Sequence, residues 1–317
     1  MMADVVLAVD IGGTKIAVGL ADADDVILDE IAGPTPGAAG PAAIIATVLQ
    51  LATTLLDRMP GAALRGVGIG TAGVVDVGSG SIVSATETLA GWAGTRVADD
   101  VRAGLADRLA PGAVVHVQND VDAHAAGEHR HGAAAGADSV LVVAVGTGVG
   151  AGVILSGHAL RGARHVAGEI AHVPTPGAEH LRCPCGRPGH LEAIGSGIGL
   201  YRHYLSLGGD PDEVDARGVA ARAARGEALA ARALRESAAA VGRAIAAAVT
   251  VLDPERVVIT GGVPDIGPAW WQPMDDAFRA EVIDALQAVP LVPGTLGSHA
   301  PLRGAAASAW AALKGNP

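Results

Sequence analysis

Two stretches far apart in the chain share one grammar. VVLAVDIGGTKIAVGL near the N-terminus and SVLVVAVGTGVGAGVIL in the second half each read as an apolar β-segment, a glycine turn and another apolar β-segment. A unit of this kind returning midway through 317 residues restricts the fold to architectures with two related halves. That agrees with a length prior of about two domains.

Helical spacing fills the intervals. Ile44, Ile45, Val48, Leu49, Leu51, Leu55 and Leu56 predict a helix over Pro41–Met59. GVGIGTAG reads as a strand, followed by an irregular segment to Trp92, a helix over Thr95–Leu109 and the buried strand AVVHVQND, whose end opens a helix at Asn119 or Asp120. After the second repeat come a Cys/His loop, two or three helices over Leu191–Leu252 and the strand RVVITGG. A helix over Trp270–Leu286, a short strand near Leu291 and a last helix over Arg303–Leu313 complete the chain. Mixed strands and helices in this order give an α/β fold of two similar lobes with a cleft between them. The repeat alone puts the boundary near Gln118–Val121.

Half the residues are hydrophobic but only 2% are aromatic, and 45 are glycine, so a large core has to be closed with small side chains at short range. The net charge of −11 repels a phosphate backbone, which excludes nonspecific nucleic-acid binding as the expected function. The N-terminus has no basic segment leading into a long apolar run, and the uncharged stretch after Arg243 is too short for a bilayer. A cytoplasmic protein with no membrane partner is the expectation.

Three glycine turns follow β-segments. In DIGGTK, Asp10 ends a strand, Gly12 and Gly13 let backbone N–H groups approach an anion, Thr14 adds a hydroxyl, and Lys15 opens the next strand. A carboxylate such as Asp10 suits Mg2+ or its water. GTGVGAG, with Gly146, Thr147 and Gly148, and ITGGVP, with Gly261 and Gly262, are built alike. None matches a P-loop or a dinucleotide fingerprint, and each alone is equally a Gly-Gly hairpin turn. Three together suggest amides converging on a nucleotide.

Both cysteines lie in HLRCPCGRPGHLE, at Cys183 and Cys185. With one residue between them they are badly placed for a structural disulfide, which leaves a metal site, a redox pair or a tight turn as readings.

These segments in this order resemble the ROK family of sugar kinases and repressors, within the actin-like ATPase (ribonuclease H-like) superfamily that includes hexokinases. The first phosphate motif is LAVDIGGTKIAVGL, the sugar-side loop GIGTAGVVD, the catalytic segment VQNDVDAHAAGE and the second phosphate motif VAVGTGVGAGVIL. AGEIAHV with CPCGRPGHLEAIGSG is similar to the family signature, VVITGGV to the adenosine-side motif and APLRGAAASAW to the closing helix. The expected lobes are then residues 1–118 with 301–317, and residues 119–300.

The resemblance implies ATP-dependent phosphorylation of a hexose 6-hydroxyl, with glucose the first expectation. N-acetylmannosamine, N-acetylglucosamine, fructose, mannose or allose are alternatives, and polyphosphate is an alternative donor. Asp120 would be the general base, although QNDVDA is equally apt as a helix cap. Asn119, Glu169, His172 and Glu192 would hold sugar hydroxyls, Gly73 would admit the substrate, and a structural Zn2+ would be bound by His172, Cys183, Cys185 and His190. His190 stands where relatives carry a third Cys; His165 and His180 are possible substitutes. Asp122 stands where the family often has Asn, and Thr88 where an Asn is common, departures that bear on sugar preference. The partners implied are a sugar and a nucleotide, in a homodimer or homotetramer. A sugar-sensing regulator without a DNA-binding segment is the competing class, because only nine residues precede Asp10.

Overall fold

The computed structural model describes residues 4–86 and 88–315. Its elements are β1 (Asp4–Ile11), β2 (Lys15–Ala21), β3 (Ile27–Pro34), α1 (Pro41–Arg58), β4 (Ala63–Thr71), β5 (Val74–Asp76), β6 (Ser81–Ser84), α2 (Val97–Gly104), β7 (Leu109–Asn119) and α3 (Asp120–His131). There follow β8 (Val140–Val145), β9 (Val149–Leu155), β10 (His158–Ala159), α4 (Glu192–Gly195), α5 (Gly197–Ser206), α6 (Ala216–Ala224), α7 (Ala228–Leu252), β11 (Arg256–Thr260), α8 (Pro268–Glu281), β12 (Leu291–Pro293) and α9 (Ala300–Leu313). The backbone forms two compact units. The first contains residues up to Gly136, Ala159–Ala167 and residues from Thr295; the second contains Ala137–His158 and Gly168–Gly294.

The first unit carries a five-stranded sheet in the order β3-β2-β1-β4-β7, and the second a five-stranded sheet in the order β10-β9-β8-β11-β12. In each, the first two strands of the repeat pair antiparallel across a glycine turn, with Ile11 opposite Ile16 and Val145 opposite Val149. In each, the next two strands add in parallel: β4 on β1 and β7 on β4, β11 on β8 and β12 on β11. The repeat read from two short segments is thus a repeat of topology. Val5–Val9 of β1 are all buried, as expected of a central parallel strand covered on both faces, whereas β3 at the edge alternates half-buried and exposed residues.

Small residues bring helices close. A Cβ at Gly304 of α9 would collide with the carbonyl oxygen of Ala123 in α3, and one at Gly127 with that of Ala300. The two helices therefore meet backbone to backbone, and Leu302, Ala305, Ala306 and Ala309 of α9 form a buried cluster with Val6, Ala8, Ala17 and Ala21. This contact places α3 in the first unit, so the chain leaves that unit after Gly136 and not near Gln118–Val121.

Other details also differ from expectation. The segment before Trp92 is not wholly irregular, because β5 and β6 pair as a hairpin. The helix predicted over Thr95–Leu109 is α2, which ends at Gly104, and Leu109 already opens β7. Four helices, not two or three, lie between Leu191 and Leu252, since Ser196 caps α5 and Asp215 caps α6. The helix predicted to reach Leu286 stops at Glu281, with a separate 3-10 turn at Asp284–Leu286. Among the described residues no helix is long and apolar enough to cross a membrane.

Candidate functional site

In the first unit, Asp10, Thr71 and Asn119 stand at the carboxyl ends of three adjacent parallel strands, Asp10 opposite Gly70 and Thr71 opposite Asn119. That edge is where open α/β sheets place ligands. Ala72 N–H donates to Ile11 O at 3.2 Å, which holds the β4 end against the first glycine turn. Within the turn, Gly12 N–H donates to Lys15 O at 3.0 Å, and Thr35 Oγ1 donates to Gly12 O at 2.7 Å. A Cβ at Gly13 would lie 2.7 Å from Cγ2 of Thr88, so this turn packs directly on the segment leading to Trp92. Thr14 and Lys15 are exposed beside it.

Asn119 is the N-cap of α3. Its Oδ1 accepts from Val121 N–H at 2.8 Å and Asp122 N–H at 3.3 Å, while its Nδ2 donates to Gly73 O at 3.0 Å. The capping reading of this residue is realised, and the cap also fixes the Gly73 backbone. Gly73 has φ of 102°, a left-handed conformation that favours glycine. Asp120 is the first residue of α3, with Oδ1 accepting from Val121 N–H at 2.9 Å. Burial pushes its carboxyl upward, and the Asp122 carboxylate adds to this. Burial, then Asp120, raises Asp10 to about 7, with Lys15 opposing. The Asp120 charge thus opposes ionisation of Asp10.

Arg161, for which the sequence gives no signal, donates from Nη1 to Asp122 and from Nη2 to Gln118 Oε1 at 2.8 Å. Gln118 Nε2 in turn donates to Ser308 Oγ at 2.9 Å. His116, on the same strand, is held well below its ordinary value, at about 4, by burial and then by the Arg161 charge.

In the second unit, the turn Gly146–Gly148 is closed by Gly146 N–H donating to Gly148 O at 2.9 Å. Gly197 N–H donates to Gly146 O at 2.8 Å, which docks the start of α5 on this turn. Gly261, at φ of 96°, presses on the β8 end against the Val145 backbone, while a Cβ at Gly262 would meet open space. The second and third glycine turns are therefore neighbours. A Cβ at Gly148 would lie 2.7 Å from Glu192 Oε1.

His172, Cys183, Cys185 and His190 offer ligand atoms that all lie within 4.8 Å of one another. Cys183 Sγ is 3.5 Å from His172 Nδ1, and Cys185 Sγ is 3.2 Å from His190 Nδ1. Tetrahedral zinc with ordinary bond lengths puts such atoms about 3.3–3.8 Å apart, a spacing that the two Cys–His pairs approach while the whole set spreads to 4.8 Å. The local backbone makes the cluster: Cys183 N–H donates to Arg187 O and Gly186 N–H to Cys183 O, both at 2.9 Å, a tight turn that presents both thiols to one side. Burial first, then His172 and Arg187, lowers His190, which favours the neutral imidazole a metal needs. His172 Nε2 lies 3.6 Å from Glu169 Oε2, so one imidazole touches the cluster with one nitrogen and Glu169 with the other. Glu192 Oε2 is 3.8 Å from Cys183 Sγ, and burial raises its carboxyl. The proposed substitutes stand elsewhere: His165 faces Asp76 at 3.6 Å, and His180 bonds Ser206 Oγ at 3.1 Å.

The structure thus gathers Asp10, the first turn, Gly73, Asn119 and Asp120 within the first unit. It gathers the other two turns, Glu169, His172, Glu192 and the Cys/His set within the second. The family model described as "ROK family" matches residues 6–312. This chain belongs to the ROK family. Among its ROK relatives, a glucokinase of Thermotoga maritima is 30% identical over 88% of this chain and 87% of its own. A kanosamine kinase of Amycolatopsis mediterranei is 30% identical over 96% of this chain and 95% of its own. A ROK glucokinase of Streptomyces griseus, crystallised with glucose and AMPPNP, superposes with a TM-score of 0.79 at 29% identity, covering 96% and 98% of the two chains. The two sheet-based units are accordingly lobes of the actin-like ATPase fold that ROK kinases share.

Proposed function

We propose that this ROK protein transfers the γ-phosphoryl group of ATP to the 6-hydroxyl of a hexose, with glucose as the foremost substrate. The sugar-kinase class rests on family membership. The observation that carries the chemistry is Asp120, a half-buried carboxylate at the start of α3 whose ionisation is disfavoured by desolvation, close enough to Asp10 at the end of β1 for its charge to act there. Asp120 accepts the proton of the attacking hydroxyl, and its upward shift makes it a better base than an exposed aspartate. Asn119 is fixed by its capping bonds and keeps Gly73 in place beside the substrate. Backbone N–H groups of Gly13 and Thr14 and of Thr147 and Gly148 meet the phosphates, and the Gly261–Gly262 turn receives the adenosine side. Asp10 would hold Mg2+, which would supply neutralisation of charge on the transferred group.

Glu169, His172 and Glu192 hydrogen-bond the sugar hydroxyls. His172, Cys183, Cys185 and His190 would hold a structural zinc, which would fix the loop from which His172 and Glu192 project. Kanosamine is an amino hexose, and the match to its kinase supports a second reading in which the acceptor bears an amino group. The reading also carries a homodimer or homotetramer and residence in the cytoplasm. Coupled measurement of ADP release across glucose, mannose, fructose, allose, kanosamine and the N-acetylated hexosamines, with ATP or polyphosphate, tests it. Turnover fastest on glucose with ATP is expected. Silence on every sugar would overturn it.

A further inference from the structure

The residues on either side of Asn119–Asp120 are held by a single side chain. Gln118 ends the buried part of β7, Asp122 lies in the first turn of α3, and the Arg161 guanidinium donates to both. Asp122 is buried, and Arg161 is the only cation paired with it among the described residues. The planar fork of arginine suits this double contact, because two donors at fixed spacing fix two acceptors at fixed spacing. The clamp continues through Gln118 Nε2 to Ser308 Oγ on α9, so the β7–α3 corner is braced from two directions.

We infer that Arg161 is a positioning residue for phosphoryl transfer, setting the β7–α3 corner so that Asp120 is aimed at the attacking hydroxyl. The inference rests on the reading of Asp120 as the base. Arg161 sits in Ala159–Ala167, the piece of chain that belongs to the first unit although the residues before and after it belong to the second. Ala167 N–H donates to Arg161 O at 3.2 Å, closing this piece into a loop, and His165 faces Asp76 at 3.6 Å on the same unit. Two residues after the loop comes Glu169. A substitution at Arg161 is transmitted to the base, whereas the side-chain partners of Arg161, Asp122 and Gln118, lie in none of the three glycine turns.

This distribution gives the test. In Arg161→Met, kcat falls roughly tenfold or more, as displacements of a catalytic group well under a bond length do, and the sugar KM rises. The ATP KM stays within about twofold of wild type, because no phosphate contact passes through this residue. Arg161→Lys keeps the charge for Asp122 but lacks the fork, and it recovers only part of kcat. Gln118→Met, which leaves the Arg161–Asp122 pair in place, lowers kcat in the same direction and serves where Arg161→Met fails to fold. Unchanged kcat and sugar KM in the Lys and Gln118 variants, or a parallel rise in ATP KM, overturns the inference. Near-normal turnover of Asp120→Asn would instead remove the reading beneath it. A flat response at Arg161 with an inactive Asp120→Asn would remove only the clamp.

Discussion

Replacing Gly148 by Ala tests how the second glycine turn and the Glu192 carboxylate are joined. Gly148 is not among the residues of positive φ, so the backbone accepts a side chain without strain. The new methyl would lie 2.7 Å from Glu192 Oε1. That atom ends a flexible side chain, so Glu192 yields before the backbone does and loses its place above the turn. A hydrogen bond to a charged group contributes about 1.5–3 kcal/mol, which converts to roughly 10- to 150-fold in sugar KM if Glu192 holds a hydroxyl. Steady-state kinetics with sugar and ATP varied in turn, beside a thermal melt, separate the possibilities. We expect a raised sugar KM, a nearly unchanged ATP KM and a melting temperature close to wild type. A raised ATP KM with an unchanged sugar KM would refute the reasoning, because it would mean that the methyl obstructs phosphate and that Glu192 does not serve the sugar.

Purified protein should contain about one zinc per chain by elemental analysis, and Cys185→Ser should lose it together with a drop in melting temperature; metal-free wild type of equal stability would contradict the ligand set. Asp10 offers a signed pH test. Burial and then Asp120 raise it to about 7 from 3.8, so between those values the folded chain holds a proton that the unfolded chain releases. Stability present at low pH is therefore lost as pH rises through this window. In chelator, Asp10→Asn should gain stability over wild type at about pH 8 relative to about pH 4, while losing turnover; a pH-independent gap would show that the carboxyl is not strained by ionisation.

The sequence shows the fold where the signal is local. Two apolar hairpins with glycine turns announce two related sheets, since strands buried on both faces read as near-continuous aliphatic runs. The Cys/His set is legible for the same reason: Cys183, Cys185 and His190 lie in one tight turn, and Glu169-x-x-His172 lies just upstream. The β5–β6 hairpin is not legible, because strands of three and four residues are too short to establish a period. The assignment of α3 is decided by Gly127 and Gly304, which approach helices across 177 residues of chain and look like any other glycines in an alanine-rich sequence. Arg161 is invisible for a related reason. It is one arginine in a glycine-rich loop, and its partner Asp122 lies 39 residues away.

The most direct test of the account is turnover of Asp120→Asn on the sugar that wild type uses best. The substitution removes the carboxylate and almost no volume, and the Asn119 caps that hold the corner remain. We expect an unchanged fold by circular dichroism, sugar and ATP KM values near wild type and kcat lower by roughly 10²–10⁴. A kcat within about twofold of wild type would contradict the claim that Asp120 takes the proton of the attacking hydroxyl.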